Sequence, residues 1–245
     1  MFFHLKSLIC AVLFLAFFQV ILISNNLIWY AGFFLLVLSV LGAKKLGGKY
    51  VFSLVPIIFS ISSMILVYLI DAYPIKQTFI IISSVIYYFV FLGICRLKNY
   101  EKDQTAKGII SGGIFATAFF FYAGFYGLYL NFAIPLWFLM LVFLAITFIL
   151  SYHYLGILST DKSKVLTYGL ILGLAMAEIS WVINFWPFGY LTTGVIALIF
   201  YYMFWDLAQS FFTEKLSKKK IVVNLIFFSL LIGLILFSSR WQLAV

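Results

Sequence analysis

The chain has 245 residues, 66% of them hydrophobic and only 9% charged, with a formal net charge of +9. A water-soluble fold of this size needs far more polar surface, so lipid must be the solvent over most of the chain. The basic residues flank apolar runs, so the positive charge is a matter of membrane topology and excludes nucleic acid as its natural partner.

Each crossing of a bilayer takes roughly 20 apolar residues, which gives room for about nine spans, short connections and no soluble domain. Marked off by charge and turn residues, the runs fall at Leu8–Ile23, Leu27–Ala43, Val51–Ile70, Thr78–Cys95, Gly108–Leu130, Leu136–Leu155, Val165–Trp186, Leu191–Phe212 and Ile221–Ser239. The first run follows Lys6 as a signal peptide's would, but it is long, has no small-x-small cleavage pattern and meets another apolar run at once. It is therefore expected to remain as a span. Only Ser24, Asn25 and Asn26 separate it from the second, which predicts a tight helical hairpin or a re-entrant pair. Pro56 inside the third run predicts a bend there. The expected fold is all-α, a polytopic transmembrane helix bundle forming one integral membrane domain over residues 1–245.

Charge alternates along the connections. Lys6, then Lys44, Lys45 and Lys49, then Arg96, Lys98, Lys102 and Lys107, then Lys162 and Lys164, then Lys215, Lys218, Lys219 and Lys220 make 14 of the 16 basic residues. The alternate connections hold only Lys76, with Arg240 after the last run. Positive-inside bias then predicts a cytoplasmic N-terminus, an external C-terminus and nine crossings, in the cytoplasmic (inner) membrane of a bacterial type of cell. The lysines at 215, 218, 219 and 220 would also suit anionic lipid headgroups. Glu101, Asp103, Asp161 and Glu214 are expected to be solvated loop charges.

Pro74, Pro135 and Pro187 punctuate the outer connections. Trp29, Tyr73, Trp137, Trp186, Tyr190 and Trp241 form an outer aromatic belt, with Tyr50, Tyr100, Tyr154 and Trp205 as a looser inner one. Cys10 and Cys95 both fall near the cytoplasmic side, where a disulfide is not expected, and two cysteines make no metal cluster. They are expected to be small buried apolar residues.

Two stripes of small residues would let helices approach closely: Gly169, Gly173 and Ala177 in the seventh run, and Gly108, Gly112 and Ala116 in the fifth. They are expected to pack internally, against each other in the simplest pairing, or else to serve an oligomer or partner subunit.

Only two acids lie within the runs, Glu178 and Asp206. Glu178 is about 20 Å from the inner end of its span at 1.5 Å per residue, in the outer half of the bilayer. Gln19, Ser60, Ser62, Ser63, Ser83 and Ser84 share that approximate depth. Trp181 and Asn184 lie beside Glu178 on its own helix, and Arg240 and Lys76 are the nearest cations. These residues suggest a polar site around Glu178 with Gln19 and Arg240 as partners, set against a protonated Glu178 or a structural ion pair that merely anchors helices. Asp206 lies near the inner end of the eighth run, one turn from Gln209 and near the following lysines. An Asp–Lys pair is the simpler expectation, and a relay with His153 and Asn224, at similar depth, is the functional one.

Glu178-Ile179-Ser180-Trp181, followed by Pro187 and by Tyr201-Tyr202-Met203-Phe204-Trp205-Asp206, resembles a group of small uncharacterised bacterial polytopic membrane proteins. The resemblance covers runs seven to nine. It implies no activity, only that Glu178, Trp181 and Pro187 act as a unit.

HExxH, GxSxG, a diphosphate-binding aspartate pair and a dinucleotide fingerprint are all lacking. No cofactor or metal is expected. The small-residue stripes and tiny loops favour a non-catalytic membrane component, an interaction subunit or scaffold with a polar site at Glu178. A small-solute or ion transporter using Glu178 and Asp206 is the second expectation, and an intramembrane enzyme on a lipid-linked substrate the third. Its partners would be the bilayer and a membrane protein or a second copy of itself.

Overall fold

The computed structural model describes residues 2–23, 27–100 and 103–238. Among these, nine α-helices and one 3-10 turn account for the ordered backbone, and no strand occurs: α1 Phe2–Ile23, α2 Ile28–Gly47, the turn Tyr50–Ser53, α3 Leu54–Leu69, α4 Tyr73–Asn99, α5 Gln104–Phe132, α6 Leu136–Leu158, α7 Lys162–Ile183, α8 Tyr190–Phe212 and α9 Lys218–Ser238. Each apolar run becomes one helix, and each helix (α3 together with its leading turn) is long and apolar enough to cross a bilayer. Ser24, Asn25, Asn26, Glu101, Lys102, Ser239, Arg240 and Trp241 lie outside the described residues.

Local chemistry sets the helix ends. Gly48 ends α2 at φ 78°, a left-handed position that glycine takes without a Cβ clash. Pro74 opens α4 in its first turn, where a missing N–H costs nothing. Asp103 caps α5, its carboxylate accepting from the amides of Thr105 (2.9 Å) and Ala106 (3.3 Å). Its Oδ2 also accepts from two Arg96 nitrogens, at 2.7 and 3.0 Å, a charge-assisted contact. Desolvation pulls this carboxyl's pKa up, but the Ala106 amide and Arg96 outweigh it and hold the group below its ordinary value. Asp103 is thus a built cap and not a free loop charge. Asp161 caps α7 through the Lys164 amide at 3.3 Å.

Pro56 lies within the third span, next to the point where its 3-10 turn gives way to α3. It sits in the first turn of α3, just after the 3-10 turn, where its ring meets no preceding α-turn. The seventh helix ends at Ile183, three residues earlier than expected. The chain there tightens into i→i+3 bonds, Phe185 N–H to Val182 C=O and Trp186 N–H to Ile183 C=O, ahead of Pro187.

The chain divides into two compact units, Met1–Phe121 and Tyr122–Val245, with the boundary inside α5. In the first, α1 packs on α4 and α2, and α2, α3 and α4 pack on one another. Its centre is Tyr87, wholly buried, with Phe14 stacked on it at 4.3 Å and Phe91 edge-on at 4.8 Å. Lipid tails are as apolar as leucine, so burial alone does little to hold these helices together. The Tyr87 hydroxyl meets Ser39 Oγ at 2.9 Å, and Ser39 Oγ meets Ser60 Oγ at 3.0 Å. This knot ties α2, α3 and α4.

The second unit repeats the device. Tyr122 OH meets Thr147 Oγ1 at 2.7 Å, Tyr201 OH meets Ser151 Oγ at 3.3 Å, and the two tyrosine rings lie edge to face with centroids 6.1 Å apart. Tyr154 and Trp205 are buried against each other at 4.9 Å instead of joining an interfacial belt. Trp29, Tyr50, Tyr73, Tyr100 and Trp137 are exposed, and Trp186 and Tyr190 are half-buried.

The two glycine stripes differ. Gly169 and Gly173 lie against α6, not α5: a Cβ on Gly173 would come 2.9 Å from the Leu144 carbonyl, and one on Gly169 would come 3.3 Å from Phe148. Ala177 is buried on the same helix. Gly108 and Gly112 face open space, and Ala116 is only half-buried. The contact face of α5 is turned by one residue, so Gly113 meets Val90 of α4, and Gly93 of α4 meets Ile110. In the second unit Gly194 of α8 touches Ala123 so closely that a Cβ would be 2.6 Å from its Cβ and 3.0 Å from its amide nitrogen. Gly194→Ala should therefore lower thermal stability by about 1–3 kcal/mol, because backbone must move to admit the methyl. Gly108→Ala and Gly112→Ala should be neutral or stabilising by up to ~1 kcal/mol, the helix propensity difference. Thermal unfolding of the purified variants in detergent checks both.

Candidate functional site

Glu178 projects from α7 on an exposed face. Above and below it on that face lie Leu170, Ile171, Leu174, Trp181, Val182 and Phe185, all exposed, at steps of one, three and four residues, which is one stripe of an α-helix. The opposite face carries Gly169, Leu172, Gly173, Met176, Ala177, Ser180 and Ile183, all buried. The phase of α7 follows from its glycines. Once Gly169 and Gly173 bring α6 close, the residues half a turn away, Glu178 among them, must point outward. Glu178 is five residues, or ~7.5 Å of helix rise, before Ile183 at the end of α7.

Trp181, one turn on, shares this face, and its ring meets Phe185 edge-on at 5.3 Å. Ser180 turns inward and gives its hydroxyl to the Ala177 carbonyl at 2.7 Å. Asn184 is the residue that closes α7, half-buried. Gln19 belongs to the first unit and is committed elsewhere. Its amide donates to Gln77 Oε1 at 2.8 Å, and Gln77 also donates to the Tyr73 hydroxyl at 2.9 Å. Arg240 lies outside the described residues. Of the expected Glu178 cluster, then, the structure keeps the acid and Trp181 together on one face.

Asp206 lies on the opposite kind of surface, between α8 and α9. Asn224 Nδ2 donates to its Oδ2 at 2.9 Å, and Lys220 Nζ lies 3.4 Å from the same oxygen. Lys220 also donates to Ser210 Oγ at 2.5 Å, and Ser210 in turn donates to the Asp206 carbonyl at 2.6 Å. The expected Asp–Lys pair and the expected Asp206–Asn224 contact are one network. It is the main polar tie of α9, whose buried residues are only Phe228 and Ile232. Gln209 is half-buried on the same helix as Asp206, and its backbone carbonyl accepts from Thr213. His153 is buried on α6 at 4% exposure. Lys220 is thereby drawn away from the basic connection, leaving Lys215, Lys218 and Lys219 exposed.

Sequence reasoning missed the two tyrosine–hydroxyl knots. A signal was present, since Tyr87 and Tyr201 stand inside spans and away from the ends where interfacial tyrosines belong. Among the described residues, no three of His, Cys, Asp and Glu gather closely enough to hold a metal ion.

Among the described residues, nine helices are long and apolar enough to cross a membrane, which makes this an integral membrane protein by length and composition. Residues 22–238 match the family described as "Protein of unknown function (DUF5656)", and the chain belongs to that family. No curated protein and no solved structure matches it.

Removing one partner of a partly buried ion pair leaves the other without its counter-charge, so Asp206→Asn and Lys220→Met should each cost about 1–3 kcal/mol. The double variant should lose less than the sum of the two. Thermal unfolding of the three variants measures this.

Proposed function

We propose that this protein is a non-catalytic membrane component that docks a partner's transmembrane helix along the exposed face of α7, with Glu178 as the polar contact. The observation that carries the reading is the placement of a carboxylate in the middle of an otherwise apolar, outward-facing stripe. Hydrocarbon on that face would cost an ionised group several kcal/mol, roughly the scale for charges within a span. The same group stabilises an interface if a donor or cation meets it there. Among the described residues Glu178 has no hydrogen bond or ion pair within its own unit: the packing of α7 runs through the glycine face, and Asp206 already has its lysine.

Charge complementarity selects the occupant. A second copy related by a two-fold axis would bring the same face, and so a second Glu178, into the contact, which sets like charges together. The favoured occupant is therefore a different protein, presenting Lys, Arg or His at matching depth between apolar residues. Trp181 supplies a broad apolar surface beside the acid, as interface anchors do. In this reading the basic connections face the cytoplasm of a bacterial type of cell, Glu178 lies in the outer half of its inner membrane, and Lys215, Lys218 and Lys219 rest on anionic headgroups, with Lys220 diverted to Asp206.

The test places a photo-crosslinking side chain at Leu174 or at Trp181 in native membranes, with an equivalent substitution at the lipid-facing Leu230 of α9 as control. The expected product is one crosslinked protein, specific to α7, whose attached peptide is a membrane span containing a basic residue. Glu178→Lys should weaken the complex at least about tenfold, or ~1.4 kcal/mol, and changing the partner's basic residue to Glu should restore it. Crosslinks only to lipid, or a complex indifferent to Glu178→Lys, would contradict the proposal. So would purified protein whose proteoliposomes show solute flux abolished by Glu178→Gln, since that is the behaviour of a transporter.

A further inference from the structure

The hydroxyl knot of the first unit has a neighbouring layer that its own side chains do not complete. Ser63 is three residues beyond Ser60 on α3, and Ser83 is four residues before Tyr87 on α4. The two helices are joined through residues 70–72, so both serines lie one turn, about 5 Å, from the knot toward that connection. Steps of three and four keep each on the face of its helix that carries the knot. Ser63 is 0% exposed and Ser83 1% exposed. Neither hydroxyl has a hydrogen-bond partner among the described residues.

Their neighbours behave differently. Ser60, Ser62 and Ser84 each donate to the carbonyl four residues back on their own helix, at 2.9, 2.6 and 2.8 Å. Back-bonding is the ordinary way a serine is satisfied in a membrane helix. Ser63 and Ser83 do not use it, and both belong to the surface that α3 and α4 present to the knot. A buried hydroxyl left alone costs about 1–3 kcal/mol, and here two such groups lie on two helices that pack on each other.

We propose that Ser63 and Ser83 form an internal binding site for a single water molecule, held between α3 and α4 one turn from the Ser39–Ser60–Tyr87 knot. Each hydroxyl supplies one contact, and the i−4 carbonyls of Phe59 and Phe79, with lone pairs to spare, are the natural further acceptors. A buried water of this kind takes two to four polar partners. The site extends the polar tie between α3 and α4 by a full turn without placing a charge at that depth. It stands independently of the docking face on α7.

The experiment is thermal unfolding of the full chain in one detergent, comparing wild type, Ser63→Ala, Ser83→Ala and the double variant. Ser62→Ala and Ser84→Ala serve as controls whose hydroxyls are satisfied locally. A shared water predicts that each of the first two lowers the midpoint by a few degrees. It also predicts that the double variant falls little further than either, because the water is lost in the first step. The controls should move less. Hydroxyls that are dry and unsatisfied would make both single variants more stable than wild type. Hydroxyls that turn back onto their own helices would give small, additive shifts like the controls. Either result overturns the site.

Discussion

Lipid removes the force that assembles soluble proteins. A helix gains almost nothing by moving its leucines from acyl chains to other leucines, so what draws helices together is hydrogen bonding between them and close approach of their backbones. Each of the two units has both features. The first has the Ser39–Ser60–Tyr87 knot and the Gly93 and Gly113 contacts of α4 with α5. The second has Tyr122–Thr147 and Tyr201–Ser151, with Gly169, Gly173 and Gly194 as the close contacts. Rings pack around the tyrosines in both. The interior is largely apolar, with a few hydroxyl contacts between helices, and the apolar surface outside it follows from the solvent.

The same constraint sorts the acids. Asp206 has its counter-charge within the chain in Lys220 and accepts from Asn224, contacts that tie α8 to α9. Glu178 has its helix's glycines turned inward and itself turned outward, so its requirement for a counterpart is carried to the surface. A carboxylate is an expensive group to leave there, and the docking proposal rests on that imbalance. The fit with Trp181 is secondary.

Much of the fold was legible from sequence because the relevant signal is one-dimensional. Apolar length marks each span, and prolines, glycines and capping acids mark the ends; the helices run up to six residues past the apolar runs, as at Phe2 and Tyr73, and depart from them at the 3-10 turn Tyr50–Ser53 and the early stop at Ile183. The site was less legible because its decisive coordinate is rotation about the helix axis, which depth does not supply. Counting along the spans gives Gln19, Ser63 and Glu178 similar expected depths, yet Gln19 and Ser63 belong to the first unit and Glu178 to the second. Gly108 and Gly112 have the spacing of a packing stripe, but neighbouring Gly113 is the residue that makes contact. Gly169 and Gly173 lie against the sequence neighbour α6, a choice of partner that spacing alone does not fix. The buried tyrosines were passed over because tyrosine in a membrane chain is ordinarily an interfacial residue.

The claim that shared hydrogen bonds hold the helices together is most directly tested at the first knot, by measuring the unfolding free energies of Tyr87→Phe, Ser39→Ala and their combination. Interhelical hydrogen bonds in membranes are worth about 0.6 kcal/mol on average and up to ~1.7. The account predicts losses of that order for Tyr87→Phe and a larger one for Ser39→Ala, which strands the phenol, with part of that excess recovered when both are changed. Equal stability of Tyr87→Phe and wild type, or strict additivity of the two changes, would mean that ring packing alone holds α2, α3 and α4 together.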